Sequence, residues 1–267
     1  MIILNNGRPI GILDSGVGGL TVAKEVMRQL PHEQIVYVGD NARCPYGPRP
    51  ADEVARFTLE LVDFLVKKDV KMIVIACNTA TAVALPTITE HVDIPVIGVV
   101  EAGARAAILT TKNKLVAVIG TVGTIRSQAY VRAVARLNAH VVVTGLACPK
   151  LVPIVESGEM GSDIAQMVVA DSLAPLVGSG IDTLVLGCTH YPLLADEIAH
   201  CLGSDVEIIC SAAETAREAS TVLSRNDLLS SSGDPDHMLY TTGSITLFEK
   251  IARDWLAGVD FSVKSLS

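Results

Sequence analysis

Short runs of β-branched and aliphatic residues recur along this chain, and most are followed by a stretch with helical periodicity. The expected strands are Ile10–Asp14, Gln34–Asp40, Met72–Ala76, Val96–Val100, Leu115–Gly120, Val141–Leu146, Thr183–Gly187, Val206–Cys210 and His237–Thr241. Expected helices include Gly19–Gln29, Ala51–Lys68, Thr124–Leu137, Ser162–Val177 and Ala213–Ser224, with Pro175 disturbing the end of the fourth. Strand and helix in alternation specify an α/β fold with mainly parallel sheets. Composition agrees. Hydrophobic residues make up 49% but aromatics only 4%, so Val, Ile, Leu and Ala fill a core of strands buried on both faces.

The formal net charge is −8 with no basic run, which argues against a cationic face for nucleic acid. No apolar run reaches the roughly 18 residues that span a bilayer. The opening "MIILNNGRPI" lacks the basic-then-apolar pattern of a signal peptide. The 6 cysteines, at 44, 77, 148, 188, 201 and 210, are spread out and never form CxxC. That pattern fits neither a disulfide scaffold nor a zinc ribbon. A cytoplasmic protein with reduced thiols is expected.

Two stretches echo each other. "MIVIACNTA" begins at Met72 and "TLVLGCTHY" at Thr183; each is an apolar strand, a small residue, a cysteine and then polar side chains. "IGILDSGVGGLTVAKEV" from Ile10 and "VAVIGTVGTIRSQAYVRAV" from Val116 form a second echo at a similar offset. Two related lobes are expected. The acidic, Ser-rich "SRNDLLSSSGDPDH" (Ser224–His237) reads as an exposed loop.

Ligands of open α/β sheets bind beyond the carboxyl ends of the strands, where Cys77 and Cys188 stand. A thiol at a helix N-terminus is expected to have its pKa lowered from about 8.5 toward neutrality. A lone cysteine there is more often a small core residue. Two of them, followed by Asn78-Thr79 and Thr189-His190, favour a paired reactive site. Cys44, Cys148, Cys201 and Cys210 keep the core reading, Cys44 least securely because its loop "GDNARCPYGPRP" is polar. Asp14 ends the first expected strand, where it serves either the site or a helix cap. The adjacent "SGVGG" matches neither phosphate-loop pattern. His190 is a proton partner for Cys188 or a capping side chain, and Glu156 its orienter or a solvated acid.

At these residues the chain resembles the glutamate racemases of the cofactor-independent aspartate/glutamate racemase superfamily. The motifs are "LDSGVGGLTV" (Leu13–Val22), "YVGDNARCPYG" (Tyr37–Gly47), "ACNTATA" (Ala76–Ala82), "VPIVESGE" (Val152–Glu159), "GCTHYPLL" (Gly187–Leu194) and "YTTG" (Tyr240–Gly243). Ala102 stands where the family often has Pro, and Asn41 where Thr is common. The resemblance implies interconversion of L- and D-glutamate for peptidoglycan synthesis, with no cofactor or metal, in a protein that is commonly a homodimer. It assigns Cys77 and Cys188 as the acid/base pair, assisted by Asp14 on one side and by His190 and Glu156 on the other. The substrate would lie among Asp14, Ser15, Tyr46, Gly47, Asn78, Thr79, Thr189 and His190. The lobes are expected to be residues 1–98 with 210–267, and residues 99–209, and to close over the ligand. Alternatives are an aspartate or hydantoin racemase of the same superfamily, and a two-lobed protein that binds an acidic metabolite without using either thiol.

Overall fold

A computed structural model describes residues 7–230 and 235–266. The chain runs β1 (Ile10–Asp14), α1 (Leu20–Gln29), β2 (Ile35–Gly39), α2 (Ala51–Lys67), β3 (Met72–Ile75), α3 (Asn78–His91) and β4 (Val96–Gly98). It continues through α4 (Val99–Thr110), β5 (Leu115–Gly120), α5 (Val122–Arg126), α6 (Ala129–Leu137), β6 (Val142–Ala147), α7 (Leu151–Glu156), α8 (Asp163–Leu173), β7 (Thr183–Gly187), α9 (Ala195–Leu202) and β8 (Glu207–Cys210). It ends with α10 (Ser211–Arg225), β9 (His237–Thr241), α11 (Ile245–Trp255) and β10 (Phe261–Ser265).

Two sheets result, with strand orders β10-β9-β2-β1-β3-β4 and β6-β5-β7-β8, parallel throughout. The β-branched strands β1, β2 and β3 are buried along their whole length. Successive residues face opposite sides, so each sheet needs two cores. Ile10 and Ile12 pack with residues of α1, α10 and α11, while Leu13 and Val38 pack with residues of α2 and α3. In the second sheet Ile119 and Leu186 join α7, α8 and α9, and Val118 and Val185 join α4 and α6. β1 and β3 neighbour each other in the middle of one sheet, as do β5 and β7 in the other. Parallel order aims the carboxyl ends of all of them the same way within each sheet.

Several expected boundaries moved, each for a local reason. The strand expected to reach Val100 stops at Gly98, because Val99 and Val100 enter α4 despite their β-branched side chains. The expected helix Thr124–Leu137 is two helices, broken at Gln128, which has φ +56°. There the Ser127 hydroxyl donates to the Thr124 carbonyl (2.6 Å) and accepts from the Ala129 N–H (3.1 Å), replacing ladder bonds. α8 ends at Leu173 and passes into a 3-10 turn that carries Pro175. β10, a partly exposed edge strand, had no marked apolar run to reveal it. The expected loop at 224–237 begins later, since α10 extends to Arg225 and Leu228 is buried; residues 231–234 lie outside the described residues.

One buried ion pair ties the loop after α10 to the first sheet. Lys71 Nζ lies 2.6 Å from Glu33 Oε2 with both side chains essentially inaccessible. Nζ also donates to the Leu228 carbonyl, and Glu33 Oε1 accepts from the Ser230 N–H. Breaking a buried pair strands the surviving charge, at about 3–5 kcal/mol. Lys71→Met is therefore expected to lose at least about 3 kcal/mol in urea denaturation. Adding Glu33→Gln should recover much of that loss.

Candidate active site

The two sheets bring their carboxyl ends to one cleft. It holds about 300 Å³ of empty space including its open mouth, and Ser15, Tyr46, Gly47, Asn78, Thr79 and Thr189 line it with both Cys77 and Cys188 and with His190. Asp14 lies directly behind that wall, fully buried at the end of β1. Its Oδ2 accepts from the Gly16 N–H (3.0 Å), and its Oδ1 accepts from the Thr189 hydroxyl of the other lobe (3.3 Å). Glu156, at the end of α7, reaches His190 from outside.

The lobes meet across this cleft with little to spare. A Cβ on Gly18 would sit 2.4 Å from Thr189 Oγ1 and 2.6 Å from His190 Nδ1. A Cβ on Gly47 would sit 2.5 Å from Thr121 Cβ. Only glycine admits such approaches. Between the lobes, the Thr79 hydroxyl bonds those of Thr121 (2.9 Å) and Thr124 (3.1 Å), and the Gly123 N–H donates to the Gly47 carbonyl (2.8 Å). The Tyr130 hydroxyl donates to Asn78 Oδ1 (2.7 Å), which leaves the Asn78 amide N–H groups as donors.

The two thiols have opposite surroundings. Cys77 caps α3, its sulfur accepting from the Ala80 N–H at 3.4 Å. The expectation of a lowered thiol pKa fails here. Burial, reinforced by the charge of Asp14, pushes Cys77 up to about 12, outweighing the Ala80 N–H and the Ser15 hydroxyl, which favour the thiolate. Cys188 does not start a regular helix: a 3-10 turn (Tyr191–Leu194) follows it, and α9 begins at Ala195. Its sulfur lies 3.9 Å from His190 Nδ1.

His190 Nε2 stands 3.3 Å from Glu156 Oε1, within ion-pair reach. The N–H is not aligned on that oxygen, so Nε2 has no hydrogen-bond partner among the described residues. Burial disfavours the imidazolium, but Cys188 and Glu156 on its two nitrogens outweigh it and raise His190 to about 10. His190 is thus a cation at neutral pH. It draws the Glu156 carboxyl below its ordinary range.

Four lining residues carried no separate signal in the sequence, among them Pro45, which follows Cys44 in the same loop. Thr121 follows the second echo's strand and was visible only as its hydroxyl. Val152 lies in "VPIVESGE". Cys44, given the core reading, lines the cleft and donates to Glu156 Oε1 at 3.2 Å; its place in "GDNARCPYG" was the available hint. Among the described residues no group of three or more His, Cys, Asp or Glu side chains is placed to hold a metal ion, and no helix is long and apolar enough to cross a membrane.

Comparison with known proteins gives consistent neighbours. The family profile described as Asp/Glu/Hydantoin racemase matches residues 11–219. The glutamate racemase of Listeria monocytogenes serotype 4a is 54% identical over 258 residues, which is 96% of this chain and 97% of that protein. The crystal structure of a glutamate racemase isoform from Bacillus anthracis is similar at TM-score 0.95 and 49% identity over 98% of each chain. That of Francisella tularensis glutamate racemase in complex with D-glutamate is similar at TM-score 0.91 and 34% identity, again over 98% of each.

Asp14 yields a pH test. Burial, partly offset by His190 and by hydrogen bonds from the Gly16 and Gly19 N–H groups, raises its pKa from 3.8 to about 6. The folded chain therefore holds this proton more tightly than the unfolded chain. The resulting stability is fully present below pH 3.8 and is lost as pH rises through about 6. Asp14→Asn removes that dependence. Between pH 4.5 and 7.5 the variant should gain about 2 kcal/mol relative to the parent in urea denaturation. A constant difference would return Asp14 to the ordinary carboxylate range.

Proposed function

Because the chain belongs to the Asp/Glu/hydantoin racemase family and is an isomerase of that kind, we propose that it interconverts L- and D-glutamate by a thiol/thiolate pair, without a cofactor. The observation that carries this reading is one cleft whose wall holds a cysteine from just past β3 and another from just past β7. Racemisation removes a proton from one face of Cα and returns one to the other, so two acid/base groups suffice if each serves one face.

From L-glutamate, the Cys188 thiolate takes the α-proton while the Cys77 thiol donates to the opposite face. The product is D-glutamate, with Cys77 as thiolate and Cys188 as thiol. D-glutamate runs the same steps backward. The difference between the two surroundings supports this division. Cys77, pushed up to about 12, holds its proton in the ligand-free site. The cationic His190, 3.9 Å from the Cys188 sulfur, is a ready counter-ion for a thiolate there. Asp14 assists Cys77, and His190 with Glu156 assists Cys188.

The α-proton of an amino acid is weakly acidic, and the negative charge that develops on the carboxylate needs fixed donors. The hydroxyls of Ser15, Thr79 and Thr189 and the amide of Asn78 provide them in this reading, with Tyr46 and Gly47 completing the wall. Substrate entry requires the lobes to part, since both thiols and the donors Ser15, Asn78, Thr79 and Thr189 are almost wholly buried. In the proposed motion residues 1–98 with 210–267 form one body and residues 99–209 the other. A cytoplasmic homodimer supplying D-glutamate for peptidoglycan completes the proposal, and it rests there on family membership.

The test is α-proton exchange in D2O. Protein free of pyridoxal phosphate is incubated with L-glutamate, and loss of the α-proton NMR signal is followed beside optical rotation. Both should change together with glutamate and not with aspartate or hydantoins; exchange confined to one of those would reassign the substrate. Cys77→Ser and Cys188→Ser should each lower turnover by about 10²–10⁴-fold. Near-normal turnover in either would falsify the two-thiol mechanism.

A further inference from the structure

The carboxylate that faces His190 is held by a residue the racemisation scheme does not use. Glu156 ends α7 with its side chain 37% exposed, so it is free to swing into water unless something anchors it. The anchor is the Cys44 thiol, which donates to Glu156 Oε1 at 3.2 Å. The two residues belong to different lobes. Cys44 sits in the loop between β2 and α2, just ahead of Tyr46 and Gly47, whereas Glu156 belongs to the second sheet's helices. The same Oε1 stands 3.3 Å from His190 Nε2, an atom that is buried and otherwise unpartnered among the described residues.

Four groups therefore stand in series. Cys188 Sγ is 3.9 Å from His190 Nδ1, His190 Nε2 is 3.3 Å from Glu156 Oε1, and that oxygen is 3.2 Å from Cys44 Sγ. Cys44 and Glu156 also share the wall of a second cavity beside α11, with about 720 Å³ of empty space including its open mouth. Cys44 lines the reaction cleft as well, so it is common to both walls. When the lobes part, the Cys44–Glu156 contact is among those that must break.

We infer that Cys44 is a positioning residue whose thiol, donated across the cleft, holds Glu156 against His190 when the lobes are closed, so that closure itself assembles the charged partner of Cys188. The inference rests on the racemase reading above. Cys44 suits the part because burial and the neighbouring Glu156 charge push its thiol far up, keeping it a donor. The groups that act on His190 are Cys188 and Glu156 from its own lobe and Asp14 from β1. Cys44 touches Glu156 and reaches the ring through it. Removing the Cys44 donor leaves every charge in place but frees one of them to move.

The experiment is the pH dependence of kcat/KM for glutamate in the full-length protein carrying Cys44→Ala, Cys44→Ser, Glu156→Gln, or Cys44→Ala with Glu156→Gln. Cys44→Ala should lower kcat/KM about tenfold, the loss of one hydrogen bond to a charged group. It should also move the basic limb of the profile to lower pH, because a loosened carboxylate supports the imidazolium less. Cys44→Ser keeps a donor and should recover most of both effects. In the Glu156→Gln background Cys44→Ala should add nothing. An unshifted profile for Cys44→Ala, or additive losses in the double variant, overturns the inference. Should Cys44→Ala fold poorly, the isosteric pair Cys44→Thr and Cys44→Val compares donor present with donor absent at equal volume. Cys188→Ser, run alongside, separates the two claims. Full turnover in that variant would overturn the racemase mechanism, whereas a dead Cys188→Ser beside an unaffected Cys44→Ala overturns only the inference.

Discussion

A parallel sheet collects its loops and the starts of its helices at one end, and that is where it can hold chemistry. This chain builds two such sheets and sets their working ends against each other. Everything at the site follows from how close that approach is. Thr189 from one sheet hydrogen-bonds Asp14 from the other, and Gly18 passes so near His190 that no side chain fits between them. The pressed-together geometry removes water, and the removal of water governs the charges. Burial is the largest influence on Asp14, on Cys77 and on His190, and in each it disfavours the ionised form.

Which groups stay ionised is then decided by neighbours. Asp14 adds to the pressure on Cys77, so that thiol keeps its proton. Glu156 and Cys188 bracket His190 and overcome burial, so the ring keeps its charge. Two strands of similar design thus end in thiols with unlike partners, a carboxyl group beside one and an imidazolium beside the other. The repeated scaffold supplies the opposed placement, and the side chains that follow each cysteine supply the asymmetry.

Much of this was legible in the sequence, for physical reasons that also mark where legibility stops. β1, β5, β7 and β9 begin and end at their expected residues, because short apolar runs bounded by small or polar residues fix a strand's ends strongly. The side chains that gather at the cleft follow from strand ends, and Cys77, Asn78, Cys188 and His190 were visible there. Features that depend on tertiary contact were not. Nothing in "GTVGT" says that Thr121 and Thr124 will bond Thr79 across the lobes. Nothing local ties Tyr130 to Asn78. The break at Gln128 turns on one Ser127 hydroxyl that competes with the backbone. The expectation of an acidified Cys77 failed because a helix N-terminus was weighed without the desolvation that comes with closing two lobes over it.

The seam between the lobes has one more property. At Gly18 and Gly47 it is made of bare backbone against side chain, and the hydrogen bonds beside those glycines join short hydroxyls and main-chain groups that have almost no reach. No long, flexible side chain lies in those contacts to stretch as the lobes separate. A small displacement would break them in concert rather than one after another, as expected of packed interfaces, which shift between discrete arrangements. An opening of the cleft through that part of the seam should therefore behave as a cooperative event rather than a gradual one.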